Sequence, residues 1–184
     1  MSNKGAETRV KLLDATRTLV EARGYFGTGL NQIIETSGAP RGSLYFHFPG
    51  GKDQLVGEAI GRSGTDIAEL IAIVEAPNAR EFVRQLLTLL GDRLELSEWT
   101  SGCPVAAVAL DVASSNDTVQ QACSAVYRQW EDVLRDRLTA YGHPEPERLT
   151  TAVLAMIEGG LILARTHRDR TPLRQLAEIV DVLV

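Results

Sequence analysis

Cysteine is scarce: Cys103 and Cys123 are the only two in 184 residues. Two cysteines cannot build a disulfide framework. With no apolar segment and cleavage site at the N-terminus, they read as reduced thiols of a cytoplasmic protein. Histidine is scarce too. His47, His143 and His167 lie in three unrelated segments, with no cysteine or carboxylate at ligand spacing, so no metal and no cofactor are expected. Phosphate loops, a glycine fingerprint after a strand and a nucleophile elbow are all missing. Gly50-Gly51-Lys52 lacks the leading glycine and the preceding strand of a phosphate loop. Together these absences speak against an enzyme. The longest mostly apolar stretch, Ala152 to Ala164, is broken by Glu158 and two glycines and is too short to cross a membrane.

A general surplus of positive charge is also missing, since the net charge is −5. The two parts of the chain differ, however: residues 1–60 carry +1 and residues 61–184 carry −6. Only the first part can comfortably face phosphate. Hydrophobic residues at 44% against charged residues at 23% supply a core and exclude wholesale disorder. The length suits one compact domain or two small ones sharing a long element.

No segment sustains the alternation of a strand, and there is no internal repeat or low-complexity linker, so the expected fold is all-α. Leu12, Ala15, Thr16, Leu19 and Val20 mark a first helix that Gly24 stops. Leu30, Ile33, Ile34 and Ser37 mark a short second helix closed by Gly38. Pro40 permits a new start because its missing N–H would be an orphan there, giving a third helix from Arg41 to His47, broken at Pro49-Gly50-Gly51. A long fourth helix runs from Lys52 to Glu75. Further helices are expected at about 79–97, 104–114, 117–141, 145–168 and 173–183, between breaks such as Ser101-Gly102 and Gly142-His143-Pro144. Gly57, Gly61 and Gly64 lie within the fourth helix. Each costs about 0.8–1.0 kcal/mol against alanine in an exposed helix interior, which makes that element locally soft. Small contacts against neighbouring helices are the competing explanation.

Two short helices about a glycine turn are the minimum for a helix-turn-helix. The second needs a thin N-terminus to enter a groove about 12 Å wide, and Gly42 and Ser43 are small. It needs an inward face, and Leu44 and Phe48 stand four apart. It needs outward donors, and Arg41, Ser43, Tyr45, His47 and Lys52 qualify. Phe46 fits either core or groove.

The run Ile33, Ile34, Gly38, Arg41, Gly42, Ser43, Leu44, Tyr45, His47, Phe48, Lys52 and Leu55, with Gly24-Tyr25-Phe26 upstream, resembles the DNA-binding domain of the tetracycline-repressor (TetR) family. The likeness covers about residues 8–60. Three residues rather than the usual two separate Phe48 from Lys52, and Pro40 stands where a capping serine is usual. With the later Ser101-Gly102-Cys103-Pro104-Val105 run, these departures resemble the LmrA/YxaF-type subgroup, which contains drug- and flavonoid-responsive repressors. The resemblance implies that Arg41, Ser43, Tyr45 and His47 face DNA, that Gly42 allows close approach, and that Lys52 grips a phosphate. It also implies that Thr28 and Gly29 present amides to the DNA backbone.

By the same resemblance, residues 1–51 form the DNA-binding domain and residues 52–184 a ligand-sensing and dimerisation domain. The segment Ala152–Ala164, apolar nearly all round, and the run Leu176, Ala177, Ile179, Val180, Val182, Leu183 and Val184 are richer in apolar residues than one core face needs. They are expected to form a homodimer through the last two helices, with Gly159 and Gly160 allowing close approach. Ordinary core is the other reading. Candidate ligand-binding residues are Phe82, Trp99, Cys103, Val108, Asp111, Tyr127, Trp130, Met156 and His167. Asp111 and Glu158 fit either a pocket or an interface, with Arg165 a partner for Glu158. The expected function is that of a regulator, released from a palindromic operator on double-stranded DNA by a small hydrophobic or aromatic effector. Activation instead of repression depends on where the operator lies. A small-molecule-binding or adaptor protein whose helix-turn-helix no longer reads DNA is the alternative.

Overall fold

The computed structural model describes residues 3–183, and among them the secondary structure is helical throughout. In chain order the helices are α1 (Asn3–Arg23), α2 (Leu30–Ser37), α3 (Arg41–His47), α4 (Gly51–Ile73), α5 (Ala79–Leu96), α6 (Pro104–Val112), α7 (Asp117–Ala140), α8 (Pro146–His167) and α9 (Thr171–Leu183). Val184 and the side chains of Val182 and Leu183, counted above in the last apolar run, lie outside what is described.

The helices gather into two compact units. One holds residues up to Gly64 together with Pro104–Val126; the other holds Thr65–Cys103 and the chain from Tyr127 onward. A boundary at residues 51/52 follows chain order, but compactness does not. The chain returns after α5, and α6 packs on α1, so α4 and α7 each divide their length between the units.

In the first unit, Leu12, Leu13, Ala15 and Leu19 of α1 meet Ile33 of α2, Leu44 of α3, Phe48, and Leu55 and Ala59 of α4. Leu12, Ile33, Leu44, Phe48 and Leu55 are fully buried, each contributing about 1.5–3 kcal/mol of apolar transfer. Gly24 ends α1 at φ +69° and Gly38 ends α2 at φ +63°, a left-handed conformation that glycine adopts without a Cβ penalty. Pro40 caps α3, and its carbonyl accepts the Ser43 N–H at 2.9 Å. The glycines of α4 split by role. A Cβ at Gly64 would overlap Val126 of α7, one at Gly57 would touch Ala122 at 3.5 Å, and one at Gly61 would meet open space. Close packing therefore explains Gly64, and softness is not needed for it.

In the second unit, α5, α8 and α9 pack pairwise. Asn78 caps α5 by accepting the Glu81 N–H at 2.9 Å. The core is filled by Phe82, Leu86 and Leu87 of α5, Leu134 and Leu138 of α7, Val153 and Ile157 of α8, and Val180 of α9. A Cβ at Gly160 would lie 2.7 Å from both Leu173 and Leu176, so this glycine lets α9 close on α8 within the chain. Gly159 faces open space. As a whole helix, α8 is 22 residues long and, by length and composition, apolar enough to cross a membrane, which the shorter stretch 152–164 did not suggest. One of its faces is core: Val153, Ile157, Gly160, Leu161 and Ala164 are buried.

Candidate DNA-binding face and sensing residues

α3 divides its side chains cleanly. Leu44 and Phe48, four residues apart, are fully buried, which turns the opposite side of a two-turn helix outward. On that side Arg41 and Gly42 are exposed, Tyr45 is 58% exposed and Phe46 is 78% exposed. Phe46 is thereby a surface residue, not core. Ser43 and His47 are half-buried; the His47 ring meets Phe46 edge-on at 5.0 Å. Arg41 donates to Asn31 Oδ1 at 2.9 Å, bringing the first turn of α2 onto the same face. Asn31 was missed from the sequence, where a polar residue one place into an amphipathic helix carries no distinguishing signal.

A Cβ built on Gly42 meets nothing within 4 Å, so the protein alone places no demand for glycine there. Gly42→Ala is expected to hold or raise thermal stability, since alanine is favoured in a helix by up to about 1 kcal/mol. It is expected to weaken DNA binding by obstructing close approach. Melting curves and duplex titration on the same sample check both halves.

One expectation needs correction, and two neighbouring residues have partners within the chain. Thr28 is fully buried: its hydroxyl donates to Gly24 O at 2.8 Å and its N–H to Tyr25 O at 3.2 Å. The Gly29 N–H donates to Gln32 Oε1 at 3.1 Å. The Thr28 amide is thus buried, whereas that of Gly29 lies at the surface under the Gln32 side chain. The first intrahelical bond of α2 runs from Ile33 N to Gly29 O, so the amides heading the helix are those of Leu30, Asn31 and Gln32. Lys52 has a partner within the chain. Its Nζ donates to Tyr25 O at 2.7 Å and lies 4.0 Å from the centre of the Tyr25 ring. Burial pulls its pKa down against the opposing pull of Asp53 and Asp111. Lys52 is a strut under the turn after α1, because Gly51 at φ +68° starts α4 beside that turn.

Tyr25 is the hub of this corner. Its hydroxyl donates to the Asp53 carboxylate, and burial, reinforced by Asp53, pushes its pKa up to about 12. Asn116 adds a hydrogen bond to Tyr25 that opposes the rise. Arg9 lies 5.3 Å from the Phe48 ring centre and pairs with Glu58.

The nine proposed ligand residues do not share one unit. Val108 and Asp111 belong to α6 in the first unit; Val108 is fully buried, and Asp111 accepts the Phe26 N–H at 3.3 Å. Both are explained by packing of α6 on α1, a contact between residues some 85 apart that no local pattern encodes. In the second unit, Phe82 is fully buried in the core, with the Arg137 guanidinium 5.2 Å from its ring centre. Trp99, in the loop after α5, is half-buried with φ +64°, and Glu98 before it has φ +52°. Tyr127 and Trp130 pack edge-on at 5.5 Å, and Met156 is half-buried. His167 is exposed and lines a groove of about 390 Å³ at the α8–α9 corner with Leu163, Leu176 and Ile179. Cys103 donates to the Glu158 carboxylate, whose pKa burial pushes up; Glu158 Oε2 is buried without a hydrogen-bond partner. Arg165 instead donates to Thr100 O at 3.0 Å. Glu158 thus faces the inside of this unit. Among the described residues no cluster of histidine, cysteine and carboxylate groups could hold a metal ion.

Residues 12–59 match the family described as bacterial regulatory proteins of the tetR family, and residues 79–179 match the transcriptional regulator LmrA/YxaF-like C-terminal domain. Along the sequence, the chain is 37% identical over 182 residues to the HTH-type transcriptional regulator LmrA of Bacillus subtilis, covering 97% of each chain. It is 36% identical to the uncharacterized HTH-type transcriptional regulator YxaF of the same organism, covering 100% of this chain and 98% of that one. The fold is shared with the reduced form of E. coli NemR, with a TM-score of 0.84 at 20% identity over 96% of this chain and 97% of that one. A TetR transcriptional regulator from Legionella pneumophila gives a TM-score of 0.81 at 22% identity over 95% of each chain. The all-α fold, the α2–α3 pair and these matches make one assignment: the chain belongs to the TetR family of transcriptional regulators, in its LmrA/YxaF-like branch, and is not an enzyme.

Proposed function

We propose that the chain is a homodimeric repressor of the cytoplasm that binds a palindromic operator and leaves it when a small hydrophobic or aromatic molecule binds. The carrying observation is the division of α3. Leu44 and Phe48 account for its whole inward face, leaving Arg41, Gly42, Tyr45 and Phe46 exposed beside Asn31 of α2. This face combines a guanidinium for phosphate or guanine with aromatic rings for thymine methyl groups. Residues 1–51 act as the reading head, with Ser43 and His47 at the edge of its face, and residues 52–184 sense and dimerise. A relative 22% identical, covering 86% of this chain and 82% of its own, carries the name transcriptional repressor DhaR.

Effector binding is assigned to the second unit, around Trp99, Cys103, Tyr127, Trp130 and Met156. Two consecutive left-handed non-glycine residues, Glu98 and Trp99, store backbone strain of the kind found at ligand sites. Release requires that the effector bind the DNA-free state better than the DNA-bound state. A panel of aromatic compounds is screened by quenching of Trp99 and Trp130. A compound that quenches should weaken DNA binding, and DNA should weaken binding of the compound by the same factor. Compounds that bind tightly yet leave DNA affinity untouched would remove the ligand-responsive part of the proposal.

A further inference from the structure

Asp111 has partners of its own at the end of α1. Its carboxylate accepts the Phe26 N–H at 3.3 Å, and a Cβ at Gly24 would overlap the same carboxylate. The end of α1 is therefore shaped to receive this side chain: Gly24 supplies both the left-handed turn and the space. Asn116, on the turn between α6 and α7, lies beside Tyr25 at the same corner.

What hangs on this corner is the start of α2. Tyr25 O accepts from Lys52 Nζ and from Thr28 N, and Gly24 O accepts from the Thr28 hydroxyl. Gly29, next along, caps α2. A carboxylate near the C-terminal end of a helix is disfavoured by the dipole of α1, so its placement calls for compensating partners. The Phe26 N–H and the charge of Lys52, which Asp111 stabilises, supply them.

From these contacts we infer that Asp111, supported by Asn116, is a positioning residue for DNA reading, acting through the Tyr25–Phe26 turn to set the entry of α2. The inference rests on the reading of α2 and α3 as the DNA-binding pair. The mechanism is a fixed hydrogen bond, so charge at position 111 matters less than an acceptor at that point.

The test uses the full chain and a duplex recovered from a randomised library by the parent protein. Asp111→Ala should weaken binding by up to about tenfold, the effect of losing one hydrogen bond. The slope of log affinity against log salt should stay as in the parent, because no phosphate contact is lost. Asp111→Asn keeps the acceptor and should restore binding to within about threefold. Amide hydrogen exchange at Phe26 should quicken in Asp111→Ala and return to the parental rate in Asp111→Asn. Parental DNA affinity in folded Asp111→Ala overturns the inference, as does unchanged exchange at Phe26. If Asp111→Ala does not fold, Asp111→Asn decides alone: tenfold weaker binding with parental exchange at Phe26 overturns it, and near-parental binding and exchange support it. A parent protein that enriches no duplex at all defeats the DNA-reading proposal instead, while the exchange arm still reports whether Asp111 holds the turn.

Discussion

A chain carrying Leu163→Asp and Ile179→Asp should sediment as a monomer and bind operator DNA about 10²–10⁴-fold more weakly, the range by which joining two binding modules raises avidity. α8 has two apolar faces and the chain covers one. Val153, Ile157 and Leu161 are buried, while Ile162 and Leu163 are each 50% exposed and Ile179 of α9 is 48% exposed. Gly159 faces open space on α8, so a second helix can approach closely there. Homodimer interfaces are more apolar than ordinary surface, and these residues form such a face if a second copy covers it. Within one protomer both positions are partly exposed, so the variant should keep its helical content, while its melting point falls by what association contributes to stability. A variant that remains a dimer by sedimentation would move the interface away from α8 and α9.

The second large effect lies on the reading helix. Tyr45→Ala should weaken operator binding by about 10–100-fold, corresponding to roughly 1–3 kcal/mol for one specific contact, with little change in melting because the side chain is mostly outside the core. Arg41→Ala should weaken binding by a similar factor. If Arg41 meets phosphate, the salt slope also falls by about 0.9; if it meets a base, the slope holds and sequence preference relaxes at one position. Lys52→Ala is the informative contrast. Lys52 is tied to Tyr25 O, so its loss should lower melting temperature and leave the salt slope near the parental value. Parental DNA affinity in both Tyr45→Ala and Arg41→Ala would remove α3 from the interface.

What the sequence disclosed and what it concealed follow from the range of the interactions. The limits of α3 at Arg41 and His47 were legible because Pro40 and the Pro49-Gly50-Gly51 turn act on their own neighbours. So were the stops at Gly24 and Gly38, where a left-handed residue needs glycine. The inward pair Leu44 and Phe48 followed from helical spacing. The contact of Lys52 with Tyr25 was hidden because the partner is a backbone carbonyl 27 residues away; a lysine at a helix start looks the same whether it reaches outward or back. Asp111 stayed open between a pocket and an interface for a similar reason, since its neighbours at Gly24 and Phe26 arrive only when α6 packs on α1. Gly64 looked like a soft point because the Val126 side chain that fills the space above it belongs to a helix that begins more than fifty residues later. Phe46 could not be resolved by periodicity, which distinguishes the two sides of a two-turn helix poorly until the neighbouring helices are in place.

The most direct test of the central claim is selection of duplexes from a fully randomised library by the full-length chain, followed by sequencing of the bound pool. The account predicts one enriched inverted repeat, with half-sites centred about one helical turn apart, roughly 34–36 Å, and lost from the pool selected by Tyr45→Ala. A pool bound by the parent in which no sequence is enriched, or in which the enriched sequence has no two-fold symmetry, would contradict it.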